Sequence, residues 1–438
     1  MEMTSVTVGI ASVVAIVIAI YSGVHIAIAL GMISFVGVVV LKGADISFSL
    51  LSLAIADSVS DEAFATVPLF VMMGLVVSRA GLGRDVYDFA NEIFRPVRGG
   101  LGFATVAANA IFASVTGSSI ASASVFAKVA IPEMIRFRYG RRFAVGIVAG
   151  SSVLGMIIPP SVMLIIYAVV TEQSVGEMFL AGILPGILLA VAYCIAIPVF
   201  FAIAPHFVGT DIIRGKGLAL RALLTDTFTK LGPIVVLVVT VLGGIYGGVL
   251  TPVEAGAGGT VVAMILGALK RRLSIRAIWS ALVETGHITA NILFLIIAAS
   301  IYSRMLGIAG LPTVFGEWIE SLGLSFAGFM ALYVLVLLLL GTIIDTASII
   351  LIVVPLFLQA LDPFNVNLVW FGIITVIGAE IGLLTPPFGI SCFVIRATID
   401  EKSVSLGDIF MGALPFAAVM LGVLVILIAF PQISLALI

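Results

Sequence analysis

Two short polar clusters interrupt an otherwise apolar chain of 438 residues. The first, SVTGSSIASAS, holds Thr116, Gly117, Ser118, Ser119 and Ser122; the second, GTIIDTAS, holds Gly341, Thr342, Asp345, Thr346 and Ser348. Hydroxyls and glycines grouped this way support two kinds of chemistry. A helix starting at such a cluster aims free N–H groups and a positive dipole end at an anion. Hydroxyl and carboxylate oxygens can meanwhile ligate a small hard cation. Asp345 is the only charge between Glu320 and Asp362. A carboxylate at membrane depth costs roughly 2.5–3.5 kcal/mol on insertion scales, which makes it a functional candidate; its competing role is that of an N-cap before TASII.

Two Pro-Pro pairs supply the other half of this chemistry. They lie in GSSVLGMIIPPS (150–161) and IGAEIGLLTPPF (377–388), and Glu380 stands beside the second. Proline removes a backbone donor and clashes with the preceding turn, so carbonyls are freed around 150–160 and 378–387. Freed backbone at membrane depth survives only where it lines a cavity or is buried in protein. Such carbonyls can coordinate Na⁺; the plainer reading is a proline kink repaired by neighbouring helices. Glu380 carries the same choice between function and structure as Asp345. Lys128 and Glu133 follow the first cluster, Lys128 placed to snorkel or pair and Glu133 to sit at the interface.

Composition puts these clusters in a membrane. Hydrophobic residues make up 62% of the chain and charged ones 10%, against about 25% charged in a soluble domain. The excess must face lipid, and a polytopic membrane protein follows. A net charge of -2 without a basic block excludes a nucleic-acid footprint. Cys194 and Cys392 lie in apolar runs as plain thiols, and His25, His206 and His287 stand too far apart to read as a metal cluster. The N-terminus lacks a positive n-region and reads as a retained helix rather than a signal peptide.

Crossing a hydrocarbon layer of about 30 Å takes about 20 helical residues. Candidate spans are 5–21, 24–41, 62–79, a double segment 99–135, 142–170, 178–204, 229–249, 252–269, 286–304, a second double segment 323–361, 366–395 and 408–431. Segments 45–61 and 271–285 are expected along the interface. The double segments have arms marginal for two crossings, so re-entrant hairpins with polar tips are expected. Arg79, Arg84, Arg95 and Arg98 precede the first, and Arg136, Arg138, Arg141 and Arg142 follow it; Met305 to Ile395 contains no Lys or Arg. By the positive-inside rule the first hairpin enters from the cytoplasm and the second from the far side. Arg214, Lys216, Arg221, Lys230, Lys270, Arg271, Arg272, Arg276, Arg396 and Lys402 then fall inside, both termini outside, and Trp318 and Trp370 in an outer aromatic belt.

Self-similarity connects the two clusters. Gly155, Pro159 and Pro160 recur as Gly382, Pro386 and Pro387, all at an offset of 227. Ser78-Arg79 recurs as Ser303-Arg304, Gly176 and Phe179 as Gly407 and Phe410, and Gly182, Leu184 and Pro185 as Gly412, Leu414 and Pro415. Because the two hairpins enter from opposite sides, the repeats are inverted, a recurring transporter plan with the site near the midplane. The chain divides into N-terminal scaffold helices and an amphipathic arm (1–61), repeat 1 (62–205) with hairpin 99–135 and broken helix 142–170, a connecting loop with scaffold helices (206–285), and repeat 2 (286–438) with hairpin 323–361 and broken helix 366–395. The moving core is expected over 112–170 and 338–392.

In order and spacing, GSSIASASVFAKVAIPEM, GMIIPPSVMLIIYA, FLAGILPGILLA, TPVEAGA and IGLLTPPFGIS closely resemble the large membrane subunit of tripartite ATP-independent periplasmic (TRAP) transporters, over essentially the whole chain. The resemblance implies an elevator-type secondary transporter of the bacterial inner membrane, driven by a Na⁺ gradient. It would import an organic acid such as a sialic acid or a C4-dicarboxylate, delivered by a periplasmic substrate-binding protein, with a small four-helix membrane subunit as partner. It also implies two Na⁺ sites. The first would use Ser118 and Ser119 with the Gly150–Gly155 stretch, including Ser152; the second would use Gly341, Asp345, Thr346, Gly382 and Thr385. Thr116, Gly117, Ser118, Ser161, Ser348, Pro160 and Pro387 are the candidate substrate positions, and Ser161 and Asp345 resemble residues the family needs for transport. Many members carry Asn four residues before the glycine of IGLLTPP, where this chain has Gly378. Two alternatives are a binding-protein-independent Na⁺/carboxylate symporter and a membrane subunit of a Na⁺-pumping decarboxylase. An enzyme is not expected: the tip serines have no histidine nearby in sequence, which disfavours an intramembrane hydrolase.

Overall fold

The computed structural model describes residues 2–60, 63–210, 212, 227–387, 389–399 and 404–438. Arg214, Lys216, Arg221 and Lys402 lie outside the described residues. Every regular element among those described is helical. The first part of the chain forms α1 (Glu2–Tyr21), α2 (Ile26–Lys42), α3 (Ala44–Ser60), α4 (Ala63–Arg79) and α5 (Leu82–Phe94). Repeat 1 continues with α6 (Gly100–Thr116), α7 (Ser119–Arg136), α8 (Arg141–Ser152), a single turn at Leu154–Ile157, α9 (Val162–Val170) and α10 (Val175–Ile203). The connecting helices are α11 (Thr227–Tyr246) and α12 (Pro252–Leu269). The last part is α13 (Ile275–Ala309), α14 (Leu311–Ser321), α15 (Phe326–Gly341), α16 (Thr346–Phe357), α17 (Leu368–Gly382), α18 (Ile390–Thr398) and α19 (Leu406–Ala429).

By length and composition five of these helices can cross a membrane, or seven if each bent pair counts as one span. The hairpins α6–α7 and α15–α16 behave differently. With 12 residues, α16 is about 18 Å long, too short for a layer of about 30 Å, so this hairpin is re-entrant. The arms of the first hairpin have 17 and 18 residues, and only Gly117 and Ser118 separate them.

The repeats share their internal ties as well as their element order. In repeat 1, Asn109 Nδ2 on α6 donates to Ser151 Oγ on α8 at 2.7 Å; in repeat 2, Tyr333 on α15 and Thr375 on α17 share a hydroxyl–hydroxyl bond of 2.8 Å. Each pair spans 42 residues and joins the first hairpin arm to the first half of the broken helix. The helix that follows each whole broken helix is capped alike, with Ser174 Oγ accepting from Glu177 N and Ser405 Oγ from Asp408 N. Fold and charge placement together define an all-α polytopic membrane protein with inverted repeats, two re-entrant hairpins and two broken helices.

Three sequence expectations change. Segments 271–285 and 286–304 are not separate elements, because α13 is one helix of 35 residues. Its uncharged stretch between Glu284 and Arg304 is 19 residues or about 30 Å, so the first turns extend the helix beyond the hydrocarbon instead of lying flat. Trp370 is not an outer-belt residue: it is 2% exposed and donates Nε1–H to the Leu427 carbonyl at 2.9 Å. Trp318, 51% exposed, keeps its surface place. The third change is α5, which bends 61° away from α4 where the sequence signals no helix. Its Asp85 is buried and pairs with Lys270, and with Arg272 at 2.8 Å; Arg79 pairs with Glu284 and donates to the Ala277 carbonyl at 2.8 Å. These basic residues, all assigned to the inner side, therefore gather at one end of α4, α12 and α13.

The paired ties make a stability prediction. Asn109→Ala and Tyr333→Phe should each lower the apparent melting midpoint of the detergent-solubilised protein by an amount equivalent to about 1 kcal/mol. The double variant should show the sum, since the bonds share no partner. A thermal-shift series checks this, and an unchanged midpoint in both single variants would contradict it.

Candidate functional site

Each hairpin tip closes on the break of its own repeat. In repeat 1, Gly117 adopts φ +58°, a left-handed conformation that suits glycine, and a Cβ there would stand 2.5 Å from the Pro160 carbonyl oxygen. A Cβ on Gly155 would stand 2.8 Å from the Ser118 carbonyl oxygen. The tip backbone and the break thus touch with no space between them. Ser118 caps α7 by accepting from Ala121 N at 3.3 Å. Ser161 caps α9, accepting from Leu164 N at 3.3 Å and donating to the Met156 carbonyl at 2.6 Å, so it bridges the two sides of the break. The peptide bonds Pro159-Pro160 and Pro386-Pro387 are both cis.

Repeat 2 repeats the contact with different side chains. A Cβ on Gly382 would lie 2.5 Å from the α-carbon of Gly341, and one on Gly341 would lie 2.7 Å from the Ala379 carbonyl oxygen. Asp345 caps α16: one carboxylate oxygen accepts from Ser348 N at 3.2 Å and the other from Ser348 Oγ at 2.5 Å. The capping role weighed for Asp345 is therefore present, and the residue stands at the tip. Thr385 Oγ1 donates to the Gly382 carbonyl at 2.8 Å, and Pro387 is exposed. Gly378 packs on Leu337, 2.7 Å from the place a Cβ would take, so this chain fills with an α15 leucine the space that a longer side chain would need.

The remaining site residues divide. Thr116 spends its hydroxyl on the Phe112 carbonyl at 2.9 Å, and its own carbonyl lies against Gly74 of α4, where a Cβ would stand 2.7 Å away. Gly150 is turned from the tip, its α-carbon packing on Phe416 of α19, and Ser152 Oγ donates to the Ala149 carbonyl at 2.7 Å. Only Gly155 of that stretch meets the tip through its α-carbon. Thr346 Oγ1 turns to Glu380, donating to Oε1 at 2.7 Å; Glu380 is 0% exposed. Ser119 is 1% exposed with an unpartnered hydroxyl beside the same carboxylate. Thr375, Asn109 and Tyr333, which hold these parts together, gave no sequence signal beyond being polar groups in apolar helices.

Two clefts flank the seam between α13 and α16. One, of about 380 Å³, is lined by His25, Asn291, Leu295, Asp345 and Ser348; the other, of about 420 Å³, by Asp57, Glu172, Ser300, Ser303, Arg304 and Leu351. Arg304 pairs with Asp57 at 2.5 Å at the second. Leu351 and Pro355 of α16 face the second cleft, while Ala347 and Ser348, one to two turns earlier, face the first. The tip of the second hairpin is thus open to one cleft and its stem to the other.

Inverted hairpins closed on broken helices, with oxygen-rich tips at a cleft, define a secondary-transporter architecture. The family described as "Tripartite ATP-independent periplasmic transporter, DctM component" matches residues 13–433, and the chain belongs to it. It is 33% identical over 372 residues, 85% of each chain, to the C4-dicarboxylate TRAP transporter large permease protein DctM of Pseudomonas aeruginosa. It is 29% identical to the sialic acid TRAP transporter large permease protein SiaM of Vibrio cholerae, again over 85% of each. The isethionate TRAP transporter permease protein DctMQ of Oleidesulfovibrio alaskensis is 29% identical, covering 94% of this chain and 64% of that one. Among solved structures, the YdaH transporter of Alcanivorax borkumensis shares the fold, with a TM-score of 0.62, 13% identity and 90% of each chain covered. The protein is thus a multi-pass TRAP transporter large permease.

The Asp345 geometry separates its two roles. Asp345→Ser keeps an N-cap acceptor and removes the charge. Uptake by the reconstituted transporter should fall at least tenfold in Asp345→Ser as in Asp345→Ala; full uptake in the serine variant would reduce Asp345 to a cap.

Proposed function

We propose that this chain imports an organic acid, a carboxylate such as a sialic acid or a C4-dicarboxylate, across the bacterial inner membrane, coupled to a Na⁺ gradient. The observation that carries the reading is the close backbone approach of each hairpin tip to the broken helix of its own repeat, at Gly117 and Gly155 in one and at Gly341 and Gly382 in the other. Na⁺ favours several oxygen ligands, and each junction offers carbonyl and hydroxyl oxygens: Ser118 and Ser119 with the Gly155 turn, and Gly341, Asp345 and Thr385 with Gly382. In this mechanism Na⁺ joins tip to break and sets both tips. The N–H groups at the starts of α7 and α16, with Ser161 and Ser348, then receive the substrate carboxylate. Thr116, Gly117, Pro160 and Pro387 line the path to them.

Transport by an elevator motion is supported by how the core meets the scaffold. At Gly74 the first tip lies directly on α4, and along the seam α16 presents Ala347, Leu351 and Pro355 to α13 between the two clefts. Small and apolar contacts let one rigid unit slide past another without breaking ion pairs. The large ion-pair network holding α5 to α12 and α13 lies away from that seam.

Delivery by a periplasmic binding protein and assembly with a small four-helix membrane subunit complete the proposal. The DctMQ relative, longer than this chain, supports a membrane partner. So does an apolar groove of about 670 Å³ between α2, α3 and α13, lined by Met32, Phe35, Leu51 and Phe294.

Proteoliposomes holding this chain with its small subunit should accumulate the organic acid only with an inward Na⁺ gradient and the binding protein outside. Equal uptake in Na⁺-free buffer under a K⁺ diffusion potential would overturn Na⁺ coupling. Equal uptake without the binding protein would favour the independent symporter.

A further inference from the structure

Glu380 sits on the last turn of α17, just before the second break, and three elements converge on it. Thr346 of the second hairpin tip donates to its Oε1 at 2.7 Å. Ser119 of the first hairpin tip lies beside the same carboxylate and interacts with it, with no hydrogen bond to its hydroxyl inside 3.5 Å. Glu380 Oε2 has no partner either, although the side chain is 0% exposed. The nearest other charge is the Asp345 carboxylate, which is negative and already bonded to Ser348. None of the ion pairs among the described residues includes Glu380. No Lys or Arg occurs from Met305 to Ile395.

A buried carboxylate without a counter-charge is strongly disfavoured. We propose that Glu380 Oε2, Thr346 Oγ1 and Ser119 Oγ form a third Na⁺ site between the two hairpin tips, one that shares Ser119 with the first tip-to-break junction. A hydroxyl that donates its hydrogen keeps two lone pairs, so Thr346 can bind the carboxylate and an ion together. All three donors are oxygens, the set a small hard cation prefers over thiolate or imidazole. Unlike the other two, this site draws on both repeats. It is complete only when Ser119 and Thr346 stand together, so an ion there holds one tip against the other and links the two junctions.

This inference rests on the Na⁺-coupled reading, and one experiment separates the two. Radiolabelled ²²Na⁺ bound per chain is counted by equilibrium dialysis on the purified full-length protein in detergent, for the wild type, Glu380→Gln and Glu380→Asp. Glu380→Gln should bind one Na⁺ fewer than the wild type and show a lower Hill coefficient. Glu380→Asp, which retains the charge but shortens its reach, should keep the count with a higher half-saturation, and it serves as the measurement if the glutamine variant fails to fold. Unchanged count and affinity in the variants would overturn the third site and leave the carboxylate a protonated or structural group. No Na⁺ bound by the wild type would instead overturn Na⁺ coupling itself.

Discussion

A peptide carbonyl left without a donor inside hydrocarbon costs several kcal/mol, and each Pro-Pro pair strands carbonyls at membrane depth. Much of the central architecture follows from meeting that demand. The break cannot face lipid, so a hairpin tip closes over it. The tip cannot approach unless side chains are absent at the contact, so in one repeat Gly117 lies on Pro160 and Gly155 on Ser118, and in the other Gly341 meets Gly382. The hairpin arms must then be held in register with the broken helix, which the Asn109–Ser151 and Tyr333–Thr375 bonds do within the core. The same carbonyls that are costly when bare are good ligands for a cation. Structural necessity and the proposed ion binding would therefore draw on one set of atoms.

How much of this could be read beforehand depends on whether the signal was local. Pro-Pro pairs, hydroxyl-rich tips and an isolated aspartate are local, and they led to the breaks, the hairpins and Asp345. Offsets near 227 exposed the repeat because both halves need glycine and proline at the same structural places. Tertiary partners left no such mark. Asn109 and Tyr333 are different residue types doing one job, so no sequence comparison between the halves could align them by identity. Trp370 looked like an outer-belt residue because the charge-based orientation put it on the far side, yet α19 covers it and the Leu427 carbonyl takes its indole N–H. Amphipathic α5 was missed because its polar face satisfies no span rule; Asp85 is buried only because Lys270 and Arg272 arrive from 185 and 187 residues away.

The charged residues fall into two mechanical groups. One set ties the scaffold together at its inner end, through Arg79, Asp85, Lys270, Arg272 and Glu284. Another, Arg142 with Asp408 at 2.9 Å, joins α8 to α19 within the part that carries the breaks. The seam between α13 and α16 is lined by small and apolar residues, with the Arg304–Asp57 pair confined to the scaffold side of its cleft. Exposed ion pairs are individually weak, about 0–1 kcal/mol, so their placement matters more than their number.

The two repeats share a frame but differ electrically. Ser118 caps the first tip and Asp345 the second, and at the 227 offset Val153 occupies the place of Glu380. Both buried or half-buried carboxylates near the midplane thus belong to repeat 2, while the first junction is neutral. The first break is also largely buried, whereas Pro386 and Pro387 of the second are exposed. A neutral junction tolerates being empty, since carbonyls and hydroxyls can turn to local partners, as Ser152 does with Ala149. The second junction instead sets two carboxyl groups, Asp345 and Glu380, near one another, and like charges repel. The inverted repeat thus builds two similar tip-and-break frames, and the acidic side chains at the second alone distinguish them.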